Sequence, residues 1–264
     1  MRMQAFIGGV SITLHIFLPE AWRKAPPVGG KTLWLLHDKF DDSGDWLSYT
    51  KAELYSTKYD AALIAPSMNS ARYNNWLGGA QWETYFVREL WDYVHGMLPV
   101  LSQRREDNAI FGLGRGGYGA VKFALVAPEQ YGAACAVSYD DGFLKGNLSG
   151  TAHRFKGGSG YPSPEAFLES PDNLHRFVET YAQSAKEKPL IWMAARTGDK
   201  TYQSGTGMKD RLLSLGYEIR WRSEDGRGGR LDQSSGGVFS DWEFGDRMLE
   251  QALVDLMREF YYKL

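Results

Sequence analysis

The sequence predicts an α/β fold, with a mostly parallel central sheet, helices on both faces and a short insertion over the cleft at one end. Three observations carry this. Thr32–Leu36, Ala61–Ala65, Ala134–Ser138 and Leu190–Ala194 are short apolar runs, the pattern of strands covered on both faces. Segments of helical period lie between them, and strands that alternate with helices pair in parallel. Finally, Ala109–Phe111 runs into a glycine cluster that opens a further apolar segment. That reads as a strand, a sharp turn and a helix in direct succession.

The remaining elements follow in order. Val10–Leu18 alternates apolar and polar residues, as a half-buried strand does. Pro19 and the Pro26–Gly30 cluster break the chain. Asp45–Tyr55 reads as a short helix. Between Gln81 and Leu101, residues Phe86, Leu90, Val94 and Leu98 recur at helical spacing beside Trp91. The helix after the glycines carries Val121, Phe123, Ala124 and Leu125 and stops before Pro128. Residues 142–185 are rich in Gly, Ser and Pro, and read as an insertion within one domain spanning 1–264. A helix over Gly207–Leu215, a strand over Tyr217–Trp221, a glycine-rich loop over Asp225–Gly237 and an amphipathic helix over Asp241–Phe260 complete the pattern. Ligands of such sheets lie at the carboxyl ends of strands, so the informative loops follow Leu36, Ala65, Phe111, Ser138, Ala194 and Trp221.

Composition narrows the function. The 264 residues are 43% hydrophobic and 23% charged, with a net charge of −2. No basic field points to nucleic acid or an anionic membrane surface. No apolar run approaches the roughly 18 residues of a membrane span, and the N-terminus lacks a signal-peptide core. The expected setting is the cytoplasm. The single cysteine, Cys135, lies in an apolar run and reads as a small buried hydrophobe. No cluster has metal-ligand spacing, so no metal or cofactor is expected.

The chemistry concentrates at Gly112-Leu-Gly-Arg-Gly-Gly-Tyr-Gly-Ala120. A strand, a glycine turn and a helix are the setting of the nucleophile elbow, G-x-S-x-G. Together with Leu35-Leu-His37, Ala65-Pro66, Thr197-Gly-Asp199 and Ser240-Asp-Trp242, this stretch resembles the esterase D, tributyrin esterase and S-formylglutathione hydrolase-like group of α/β-hydrolases. The likeness runs through nearly the whole chain. It implies an α/β-hydrolase fold and an ancestral hydrolysis of carboxylic esters. It places His37, Asp38 and Lys39 on the oxyanion loop, the nucleophile at Gly114, the triad acid at Asp199 and the catalytic histidine at Ser240. The family often forms oligomers, so a homo-oligomer is an expectation of the resemblance.

The departures fall on the chemistry. Gly114 has no side chain, and Ser240 stands where the family has histidine. In this fold the triad order is nucleophile, acid, histidine, and none of the five histidines follows Asp199. Loss of one triad member costs several powers of ten in turnover. Asp38 stands where the family has glycine, and its negative charge opposes the charge that develops in acyl transfer. The backbone N–H groups of Lys39 and Arg115 are the expected oxyanion donors. The leading expectation is a member without the conventional reaction, retained for binding or assembly. Its ligand would be a small ester, a sugar or an anion, with no nucleic acid and no membrane partner. Two other readings stand beside it. One is an ester hydrolase rebuilt around Arg115, Asp199 and Asp140. The other is a dinucleotide site, because Gly112, Gly114 and Gly117 also satisfy G-x-G-x-x-G. Arg115 reads either as an anion-binding fork or as a salt bridge to Asp38, Asp140 or Asp199 that plugs the pocket. Tyr73 and Trp76 lie on a loop that borders the acyl or alcohol pocket in the resembling family, and His37 reads as a structural residue bonded to backbone.

Overall fold

A computed structural model describes residues 1–7, 10–68, 73–75, 80–141, 161, 164–184, 187–226 and 241–262. Among these, eight strands form one sheet: β1 (Arg2–Ile7), β2 (Val10–Phe17), β3 (Lys31–Leu36), β4 (Ala61–Pro66), β5 (Asn108–Leu113), β6 (Ala133–Val137), β7 (Leu190–Arg196) and β8 (Ile219–Glu224). The order across the sheet is β1-β2-β4-β3-β5-β6-β7-β8. β2 runs antiparallel to β1 and β4, and every later pairing is parallel.

The central strands alternate across the sheet, and each of its faces is capped by a different core. On β3, β5, β6 and β7 the residues Trp34, Ile110, Ala134 and Ile191 enter one core. Leu33, Phe111, Cys135 and Trp192 enter the other. The helices are α1 (Asp45–Tyr49), α2 (Ala52–Lys58), α3, α4 (Arg115–Val126), α5 (Pro164–Leu168), α6 (Leu174–Ser184), α7 (Tyr202–Ser214) and α8 (Trp242–Tyr262). α3 is a single helical run through Trp82–Thr84, Tyr85–Leu90 and Trp91–Met97, whose middle stretch is π-wound. It packs with α4 on the Trp34 face, where Trp34 stacks on Trp91 at 5.9 Å and meets the edge of Phe86 at 5.6 Å. α1, α2 and α8 cover the other face, where Trp46 meets Trp242 at 4.8 Å.

The structure corrects several expected boundaries. β1 was not anticipated. It forms because β2 offers it an antiparallel edge, from Arg2 opposite His15 to Ile7 opposite Val10. The expected Asp45–Tyr55 helix is two helices. Thr50 is extended between them, and the Lys51 N–H turns to the Asp246 carboxylate on α8 at 2.8 Å. α3 stops at Met97 rather than Leu101. The chain beyond it pairs with Gly30 instead, whose N–H donates to Val100 O at 2.7 Å and whose carbonyl accepts from Ser102 N–H at 2.9 Å. α7 starts at Tyr202, ahead of the expected Gly207. Within 142–185 the described residues carry α5 and α6.

α4 leaves β5 through Gly114, at φ +59° and ψ −116°. Glycine makes the close approach feasible. A Cβ at Gly112 would lie 1.9 Å from Gly116 O, and a Cβ at Gly116 would lie 2.2 Å from Leu36 O. These neighbours are backbone and cannot swing aside. Gly116→Ala is therefore expected to cost about 3 kcal/mol in urea unfolding, at the upper end of overpacking effects. Gly207→Ala is the control. Its added methyl meets nothing within 4 Å on α7, and the change is expected to stabilise by about 0.5–1 kcal/mol.

Candidate active site at the elbow

The space above Gly114 is filled by Asp38. A Cβ built on Gly114 would lie 2.2 Å from Asp38 Cγ and 2.3 Å from both carboxylate oxygens. The carboxylate thus occupies the volume where a side chain at position 114 would begin. Asp38 Oδ1 accepts the Arg115 backbone N–H at 2.8 Å. That N–H is the first of α4, at a helix N-terminus that favours negative charge. The Asp38 charge is bound directly to the Arg115 N–H.

Asp38 is aimed by its neighbour. His37 is 1% exposed. Its Nδ1–H donates to Asp38 O at 2.8 Å, and its Nε2 accepts the Met68 N–H at 2.8 Å. These bonds require the neutral ring protonated at Nδ1. Burial lowers the His37 pKa from 6.5 to about 4, against the raising effects of the Asp38 carbonyl and the Asp42 charge. Tyr73 O–H closes the frame by donating to His37 O at 2.6 Å. The Tyr73 ring is fully buried against Gly119 and Phe123, so Tyr73 is a buried brace for the loop that carries His37 and Asp38. Beyond Asp38 the loop turns outward. Lys39 is exposed with its ammonium 4.2 Å from the Phe40 ring centre, and Phe40 is 76% exposed at φ +69°.

Arg115 is half-buried. Burial lowers its pKa, while Asp140, Asp38 and Tyr73 act in the opposite direction. Of the carboxylates considered from sequence, Asp140 and Asp38 are thus the ones whose charges bear on it. The backbone brings Asp140 there, since its N–H donates to Gly114 O at 3.1 Å. Asp199 occupies the turn after β7, two strands over from β5. Its N–H donates to Arg196 O and its carbonyl accepts from Tyr202 N–H, each at 3.1 Å. Ser240 and Trp76 lie outside the described residues. Their neighbours are placed. Asp241 caps α8 by accepting the Phe244 N–H at 3.1 Å and pairs with Arg196.

Two arrangements escaped sequence reading. The first surrounds Lys122, whose side chain is wholly buried on α4. Its ammonium reaches Glu83 at 2.6 Å, Tyr73 O at 3.2 Å and the Asp172 carboxylate. Asp172 also accepts from Asn74 Nδ2 at 3.0 Å and from Tyr161 O–H, while Tyr118 O–H donates to its carbonyl at 2.9 Å. This network fastens Tyr161 and the Asp172 turn ahead of α6 to α4 and to Tyr73. Its one sequence signal is a lysine among the apolar residues Val121–Leu125. The second is His175 on α6, whose Nε2 lies 3.3 Å from the buried Asp141 carboxylate, one residue after Asp140.

Glycine roles at the elbow also bear on the dinucleotide reading. Gly112 and Gly117 admit close backbone contact, with a Cβ on Gly117 3.3 Å from Val137 O. In dinucleotide folds the glycine turn follows the first strand, and the pyrophosphate sits on the helix N-terminus. Here the turn follows the fifth strand, and the Asp38 carboxylate already holds that N-terminus. Among the described residues, no group of three or more acidic, histidine or cysteine side chains could hold a metal ion, and no helix is long and apolar enough to cross a membrane.

Two measurements test this arrangement. Removing Lys122 strands the buried Asp172 carboxylate and leaves the partly exposed Glu83 without its ammonium partner, so Lys122→Met is expected to cost about 3–5 kcal/mol in chemical denaturation. Adding Asp172→Asn should recover part of that loss. His37 sets a pH dependence. Its folded pKa lies below the unfolded value, so its contribution is full above about pH 6.5 and is lost as pH falls through about 4. The contribution is about 3 kcal/mol. In His37→Gln the difference in urea stability between pH 7 and pH 4.5 should shrink accordingly.

Known proteins give the same assignment. Residues 8–192 match the family described as "Putative esterase". The acetyl esterase of Caldicellulosiruptor saccharolyticus is 23% identical over 234 residues, covering 84% of this chain and 81% of that protein. The MPT51 antigen of Mycobacterium leprae is 24% identical over 229 residues, covering 80% and 73%. Among solved structures, the fluorophosphonate-binding serine hydrolase FphF of Staphylococcus aureus superposes with a TM-score of 0.78 at 22% identity, over 97% of this chain and 96% of its own. The fold is that of the α/β-hydrolases, and the chain belongs to this esterase family.

Proposed function

We propose that this esterase-family protein does not carry out conventional serine ester hydrolysis, and that it acts by binding or assembly at the elbow. The observation that carries the reading is the Asp38 carboxylate. It stands in the volume of the nucleophile's side chain and takes up the Arg115 N–H. An acyl group would need both places, one for attack and one for the oxygen that becomes negative. A relative named for its antigenicity rather than for an activity, MPT51, is compatible with such a role. The second reading, a rebuilt ester hydrolase, draws support from the partly exposed Arg115 and Asp140 beside Asp38. It still has to supply a nucleophile and a base without a histidine downstream of Asp199.

The purified protein is expected to show no saturable hydrolysis of p-nitrophenyl acetate or butyrate above buffer. Gly114→Ser is expected to stay inactive and to lose stability, because its Cβ would meet the Asp38 carboxylate at 2.2–2.3 Å. Turnover at ordinary enzyme rates that follows the protein through purification and is abolished by Asp38→Ala would overturn the proposal in favour of the rebuilt enzyme.

A further inference from the structure

We infer that Ser67 is a nucleophile outside the elbow: its hydroxyl passes a proton through Ser43 to His15 and takes the acyl group of an aryl ester or thioester.

The cluster is assembled from three parts of the chain. His15 on β2 lies opposite Ala65 on β4, Ser67 follows β4, and Ser43 stands between β3 and α1. Ser43 Oγ lies 3.0 Å from His15 Nδ1 and 2.7 Å from Ser67 Oγ. These are the distances of a nucleophile and its base. The contact of Ser43 Oγ with a backbone carbonyl, Thr13 O, is longer at 3.4 Å. The short contacts of the Ser43 hydroxyl are therefore with Ser67 and the imidazole.

Exposure sets the direction of the relay. Ser43 is wholly buried, while Ser67 and His15 are partly exposed. Ser67 is thus the hydroxyl that a substrate meets. With the imidazole proton on Nε2, Ser67 O–H donates to Ser43 Oγ and Ser43 O–H donates to His15 Nδ1. The Ser43 backbone N–H donates to Ser67 Oγ at 3.1 Å, which favours negative charge on that oxygen. Burial, the Arg2 charge and the Met1 ammonium hold the His15 pKa below 6.5, against the Asp42 carboxylate. The ring is therefore neutral at pH 7, and Asp42 favours the imidazolium that forms when it takes a proton.

In the step itself, Ser67 Oγ bonds to the acyl carbon, and the bond to the leaving group breaks with its electron pair. The Ser67 proton moves to Ser43, the Ser43 proton moves to His15 Nδ1, and the imidazolium returns its proton to solvent. His15 reaches Ser67 through Ser43, one residue removed from the reacting carbon. It neither protonates the leaving group nor activates water on the acyl-serine. The first constraint selects leaving groups stable as anions, an aryloxide or a thiolate. The second makes the reaction a single acylation, without turnover.

The test treats the native chain, Ser67→Ala and His15→Gln with p-nitrophenyl acetate and maps acetyl groups by peptide mass spectrometry. The native chain is expected to release about one equivalent of nitrophenolate and to carry its acetyl group on Ser67. Ser67→Ala should lose that release, and His15→Gln should acylate Ser67 at least about ten-fold more slowly. The native rate should rise with pH as His15 loses its proton and level off above about pH 6.5, which a merely structural histidine would not impose. Acetyl groups on lysines or other serines without Ser67, or an unchanged rate in His15→Gln, overturns the inference. Should His15→Gln fail to fold, the pH profile decides. A Ser67 rate that keeps climbing in proportion to hydroxide overturns it.

Discussion

The α4 helix lies against the sheet more closely than side chains would permit, and the site depends on that contact. Gly112 and Gly116 put β5, the start of α4 and the Leu36 carbonyl within touching distance. This fixes the first N–H of the helix just beyond the end of β3. The residue that follows that strand by two positions, Asp38, is then within reach of it. A looser helix would present the same N–H to solvent, and the carboxylate would have no reason to turn inward.

The same helix connects the elbow to the segment ahead of α6. Its first residue binds Asp38 and its eighth, Lys122, binds Asp172 and Glu83. Tyr73 joins the two ends, since its carbonyl takes the Lys122 ammonium and its hydroxyl holds His37. A buried ammonium between two carboxylates is costly to assemble and far more costly to break. It serves here as a fastening for the segment that carries Asp172. The polar network thereby ties the end of β3, Tyr73, α3, α4 and the Asp172 turn into one unit beside the elbow.

Parts of this were legible in the chain and parts were not. Apolar runs and helical spacing revealed the sheet and most of its helices, because burial on both faces leaves a local mark. β1 left none, since its place depends on the edge that β2 offers. In sequence the Asp45–Tyr55 segment looks like one helix because its break answers to Asp246, nearly two hundred residues away. The elbow is legible as a motif, and Asp38 stands in the sequence as a charge out of place. Its insertion into the nucleophile's volume is not legible there, because that depends on the direction of one side chain across a turn.

What the sequence determined by itself is the family, the elbow, and the absence of both a side chain at position 114 and a histidine beyond Asp199. These are facts of residue identity and order. What the tertiary structure decided is how the vacancy was filled. Asp38 and Arg115 are separated by 77 positions, and Lys122 and Asp172 by 50. No local pattern records such pairs. They meet because glycine lets a helix settle onto a sheet, and in that close-packed, partly dry place a carboxylate binds a helix N-terminus more favourably than it would in water.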